Sequence, residues 1–130
     1  MKSLTKIIFP AVLVLMIIPS CKSQYELLLN GSDADAKYKA AFDYFNLKKY
    51  NKSTALFESL SLLTEGTDRD DTVRYYCGLS NYLQKDYYTA ETHFSRFVEV
   101  YPRSPFASDA RFLRIDCLYR NTLRLSLIHI

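Results

Sequence analysis

The chain has no tryptophan, only three glycines and only four prolines in 130 residues. Architectures built from many short strands need frequent turn residues, so this scarcity argues against a β-sandwich or barrel. There are two histidines, His93 and His129, and neither sits in a ligand cluster at zinc spacing. Gly66 and Gly78 are isolated, so no Gly-rich phosphate loop exists, and there is no nucleophile elbow or His-Glu metal motif. Asp68, Asp70 and Asp71 form a charge run without the rest of a calcium loop, which reads as a solvated loop. These absences point away from an enzyme and from bound metals or cofactors. What the chain does have is aromatic side chains, with 11 tyrosines and 8 phenylalanines.

Its front end is an export signal. Lys2 and Lys6 give a basic start, Ile7 to Ile18 carries no charge, and Pro19, Ser20 and Cys21 follow. A helix over the uncharged stretch would span roughly 18 Å, short for a hydrocarbon core of about 30 Å. Residues 1–20 therefore read as a signal peptide rather than a permanent membrane span. The segment Ile18-Pro19-Ser20-Cys21 resembles a bacterial lipobox, with Pro19 departing from the usual pattern. The resemblance implies cleavage before Cys21 and acylation of that cysteine with palmitate-type chains, which then serve as the anchor. An ordinary cleaved signal beside an incidental cysteine is the alternative. By resemblance to lipoprotein sorting rules, Lys22 in place of Asp directs the protein to the outer membrane, facing the periplasm.

Without Lys2 and Lys6 the 17 basic residues fall to 15 against 14 acidic ones, so the mature part is nearly neutral. That balance gives no support to nucleic-acid binding. The 110 residues from Cys21 onward make one domain with a modest core. Cys77 and Cys117 show no pairing signature, and they read as small apolar residues packed between helices. His93 reads as a partly exposed helix residue.

Residues 21–32 form a lipidated tether, apolar at Leu27-Leu28-Leu29 and ended by Asn30-Gly31. Beyond it the apolar spacing predicts helices over about 33–47, 52–64, 72–84, 88–101 and 106–120. Ser32 or Asp33 caps the first and Asp70 or Asp71 the third. Lys48 to Asn51 and Lys85 to Tyr87 read as turns, and Pro102 stops the fourth helix. Overlaying the chain on itself with a shift of 37 pairs Tyr38 with Tyr75, Ala41 with Gly78, Phe45 with Tyr82, Tyr50 with Tyr87, Ser53 with Ala90 and Phe57 with Phe94. Phe112 and Tyr119 continue the register into a third copy. A fixed period of this length marks a solenoid of helix pairs. The series Gly78, Tyr82, Asp86, Tyr87, Ala90, Phe94, Pro102 resembles the tetratricopeptide repeat. The expected fold is thus all-α, with about two and a half repeats over 33–122 (about 33–66, 70–103 and an incomplete 106–122). The tail 123–130 alternates like a strand and reads as a truncated or misread end.

In such stacks the first helix of each pair lines the concave side. The resemblance places Asp35, Tyr38, Phe42 and Phe45 there from the first copy, and Thr72, Tyr75, Leu79 and Tyr82 from the second. Phe112, Asp116 and Tyr119 follow from the third. The expected surface is an aromatic trough with few charges, suited to an extended peptide bearing aromatic side chains. Core packing is the alternative role for each residue. The lipidated cysteine, the tether, the aromatic-rich repeats and the segment Tyr101-Pro102-Arg103-Ser104-Pro105-Phe106-Ala107 together resemble the BamD family of the outer-membrane β-barrel assembly machinery. Membership implies work beside a BamA-type barrel insertase and other assembly lipoproteins. It also implies binding of the aromatic-rich targeting signal of unfolded outer-membrane proteins. The chain is shorter than the family pattern, and no residue here is assigned to the insertase contact. The alternatives are a generic periplasmic adaptor lipoprotein of the cell-envelope or Tol-Pal type and, less supported, a SusD-like glycan-uptake lipoprotein.

Overall fold

The computed structural model describes residues 23–128; residues 1–20, read as a signal peptide, and Cys21, read as a lipidation site, lie outside the described residues. Six helices are present among them: α1 (Gln24–Asn30), α2 (Ala34–Asn46), α3 (Tyr50–Ser61), α4 (Asp70–Leu83), α5 (Tyr87–Val100) and α6 (Ala107–Ile128). Each helix from α2 to α6 packs on the next along the chain, and α1 lies against both α2 and α3. The molecule is an all-α solenoid of helix pairs, α2–α3 and α4–α5, with α6 in the place of the next first helix.

Local chemistry sets the helix ends. The Asp33 carboxylate accepts from the amides of Asp35 and Ala36 at the start of α2, and Asp86 accepts from Thr89 at the start of α5. The two intrapair turns share one geometry. Lys48 and Lys85 both have left-handed backbones, with φ of 57° and 66°. In the first turn the Lys48 amide donates to the Phe45 carbonyl and the Lys49 amide to that of Tyr44, both at 2.9 Å. Lys85 and Asp86 repeat this pattern towards Tyr82 and Asn81. These are Schellman caps with lysine where glycine is usual. A side chain in that region costs about 1 kcal/mol, offset in part by the freedom glycine gains on unfolding. Lys48→Gly and Lys85→Gly are each expected to add about 0.5 kcal/mol of stability, and their effects should sum. Urea midpoints that stay put or fall would refute this.

The small positions fall where helices approach closely. Ala41, Ser53 and Ala90 are fully buried, and a Cβ on Gly78 would meet Phe94 Cε1 at 3.0 Å and His93 Cβ at 3.2 Å. The interior has two apolar clusters. One gathers Ala40, Ala41, Leu56, Phe57, Leu60, Val73 and Cys77. The other gathers Tyr75, Ala90, Phe94, Phe97, Ala107, Ala110, Leu113 and Cys117. Cys77 and Cys117 are buried free thiols. Tyr76 touches both clusters. Its ring centroid lies 4.8 Å from Phe42, 5.2 Å from Phe45 and 6.1 Å from Phe106.

Three expectations change. The tether is helical over Gln24–Asn30: Ser23 caps it by accepting from the Glu26 amide, and Tyr25, Leu28 and Leu29 pack on the first cluster. Tyr25 meets Tyr44 edge-on at 5.5 Å, with the Lys52 ammonium over both rings. Tyr50 and Tyr87, read as turn residues, are the first residues of α3 and α5. The tail continues α6 to Ile128 rather than forming a strand. Strand-like alternation has effect only beside a pairing partner, whereas Leu and Arg are good helix formers and no glycine or proline follows Pro105 to end the ladder.

Candidate functional site

The first helices α2, α4 and α6 carry the residues expected to line the trough, and side-chain contacts connect them. The Tyr82 hydroxyl donates to Asp116 Oδ2 at 2.6 Å, and the Tyr75 hydroxyl donates to Asp109. Both links span 34 residues, one helical turn less than the repeat, so successive first helices lie side by side with a one-turn offset. Along α2, Tyr38 and Phe42 are half-buried with ring centroids 4.8 Å apart, and Phe45 is half-buried against Tyr50 at 5.5 Å. Thr72, Leu79 and Tyr82 are half-buried on α4. On α6, Phe112 and Tyr119 are open, at 65% and 62% exposure, and flank the half-buried Asp116.

Tyr75 departs from the expected arrangement. It is 6% exposed, and its ring stacks on Phe106 at 4.6 Å with an interplanar angle of 12°. It belongs to the core because the linker before α6 folds back over it. Burial, then the bond to Asp109, pushes its phenol well above the usual range.

The surface also holds more fixed charge than expected. Arg69 pairs with Asp35 at 2.5 Å and covers the Tyr38 ring at 5.1 Å. Arg120 pairs with Asp116 at 2.5 Å and lies over the rings of Tyr82 and Tyr87 at 5.8 and 5.1 Å. The hydrogen bond to Asp116, with burial second, raises the Tyr82 phenol; the bonds from Tyr82 and Arg120 hold the Asp116 carboxyl below its ordinary value. The arrangement therefore offers aromatic contact area edged by carboxylates and guanidinium groups. These groups can dock a chain and fix its direction.

Sequence reasoning missed Arg69, Tyr76, Asp109 and Arg120. Tyr76 lies off the overlay, since Lys39 stands 37 residues before it. The other three belong to contacts between successive repeats, for which a search at the repeat period itself gives no signal. The segment Tyr101 to Phe106, read as a family feature, acts here as a brace. Tyr101 donates to Asp70 at 2.5 Å, Ser104 donates to Asp71 at 2.7 Å, and Phe106 covers Tyr75. Asp70 is accordingly 3% exposed rather than part of a solvated loop. A cavity of about 610 Å³ lies between Thr67, Asp71 and this linker. A second, of about 280 Å³, is bounded by Glu65, Asp70, Arg74, His93 and Tyr101.

Comparison of the chain with protein-family models, with curated proteins and with solved structures returns no match.

Proposed function

We propose that this chain is a non-catalytic, lipid-anchored scaffold of the outer-membrane β-barrel assembly type, docking extended aromatic-bearing segments of unfolded outer-membrane proteins. The observation that carries the reading is the α6 stripe. Phe112 and Tyr119 stand open on either side of Asp116, which is tied to Tyr82 of the preceding repeat. Rigid aromatic side chains on a solenoid face give large contact area at low entropic cost. The Asp116–Arg120 and Asp35–Arg69 pairs supply the polar edge that orients a bound chain. Placement at the outer membrane, beside a BamA-type insertase and its companion lipoproteins, rests on the lipobox-like segment ending at Cys21 and on the overall pattern of the sequence.

The test uses the full chain in detergent and a fluorescent peptide carrying the aromatic carboxy-terminal end of an outer-membrane β-barrel protein. Phe112→Ala with Tyr119→Ala is expected to weaken binding about tenfold, a loss of about 1.4 kcal/mol. Unchanged affinity would remove this surface from the function. In cells, a photo-cross-linker at Phe112 is expected to capture unfolded outer-membrane proteins. Capture of cell-wall partners alone would favour the periplasmic adaptor reading instead.

A further inference from the structure

Away from the first-helix face, three helices bring together side chains that the repeat does not require. Glu58 on α3, Cys77 on α4 and His93 on α5 place a carboxylate oxygen, a sulfur and a ring nitrogen all within 4.8 Å of one another. Cys77 is 2% exposed, His93 is half-buried and Glu58 is open to solvent, so the cluster runs from the core to the surface. In the first repeat the positions 37 residues before Cys77 and His93 hold Ala40 and Leu56, both buried in the core. Helix packing at these two places is thus satisfied by apolar residues, and the second repeat carries a thiol and an imidazole instead. One repeat beyond Glu58 stands Ser95.

We propose that Glu58, Cys77 and His93 form a zinc site that clamps the junction between the first and second helix pairs. A mixed sulfur, nitrogen and oxygen donor set suits Zn²⁺ better than the hard, all-oxygen ions. Bond lengths of 2.0 to 2.3 Å put neighbouring ligand atoms of a tetrahedral site roughly 3.5 Å apart. The three atoms lie within 4.8 Å of one another, so they draw in by at most roughly 1.3 Å, and the exposed Glu58 side chain closes its own two gaps by rotating. Among the described residues neither Glu58 nor His93 forms an ion pair. The nearby cation Arg74 is already held by Asp70 at 2.7 Å. His93 also lines the 280 Å³ cavity, and the exposed Glu58 leaves the cluster open to solvent on its own side, which gives an ion a way in and lets a water serve as fourth ligand. Burial, with Glu58 beside it, pushes the Cys77 thiol up to about 12. A coordinating zinc ion deprotonates such a thiol outright, and the proton leaves to solvent. Sequence spacing hides the site because its ligands are 19 and 16 residues apart on separate helices.

The test uses the full chain carrying Cys21→Ser and Cys117→Ala, so that Cys77 is its single thiol. After chelator treatment it is titrated with zinc alone and, separately, with cobalt. One equivalent of zinc is expected, together with the intense near-ultraviolet band of cobalt–thiolate ligation and a rise in melting temperature with zinc. Cys77→Ala should abolish the cobalt band, and His93→Gln and Glu58→Gln should each weaken zinc binding about tenfold or more. Glu58 is at the surface, so Glu58→Gln remains informative even if a core variant fails to fold. A folded parent that takes up no zinc, or a Glu58→Gln variant that binds it as tightly as the parent, would overturn the proposal.

Discussion

Tyr76→Ala is expected to lower stability by about 3 kcal/mol, with the urea midpoint falling and the slope unchanged. The Tyr76 ring is the contact shared by both apolar clusters. It meets Phe42 and Phe45 of α2, Phe57 of α3 and Phe106 of the linker. Several of these are tilted or edge-to-face pairs, which contribute beyond the area they bury. Removing the ring opens a void between rigid helices that have little room to collapse onto it. Tyr76→Phe keeps the ring and should stay within about 0.5 kcal/mol of the parent. Leu62→Ala, at an exposed site, serves as the control and should also change little. A cost for Tyr76→Ala below about 1 kcal/mol would mean that the two clusters hold together without it.

A loss of similar size, about 3 kcal/mol, is expected for Asp70→Ala. The buried Asp70 carboxylate accepts from Arg74 Nε at 2.7 Å, from the Tyr101 hydroxyl at 2.5 Å and from the Gly66 amide at 3.2 Å. It thus ties the loop before α4 to the linker before α6. Burial alone would raise its pKa, but the bonds from Tyr101, Arg74 and Gly66 outweigh this and hold it below the ordinary carboxylate value. A folded-state pKa below the unfolded one means that the unfolded chain takes up the proton more readily. The stabilisation is therefore present above the unfolded value and is lost as pH falls through the folded one. Thermal melts of the parent and Asp70→Asn should differ most at neutral pH and converge in acid. A difference that stays constant down to the acid limb would show that the charge on Asp70 plays no part.

The repeat and its helices were legible in the sequence because they depend on spacing. Tyr38, Phe45, Tyr75 and Tyr82 recur at 37-residue intervals, and each helix shows its apolar stripe at steps of three and four. The turn positions were legible too, but not their left-handed lysines at 48 and 85, since lysine carries no turn signal. The helix Gln24–Asn30 was hidden because its side chains find apolar partners only on α2 and α3. The candidate surface was half legible. Phe112 and Tyr119 are open on α6, whereas Tyr75 is closed off by Phe106, a contact made by a linker whose path no periodicity describes.

By itself, then, the sequence determined the helix-pair period, the small residues that let helices approach, and the aromatic content of the first-helix face. All of these follow from side-chain volume and local backbone preference, which act over a few residues. The tertiary structure alone decided which aromatic rings stay exposed, how deeply Asp70 is buried, and that Glu58, Cys77 and His93 meet. Those outcomes depend on the angle and offset between neighbouring helices, and residues far apart in the chain become neighbours only once these are set.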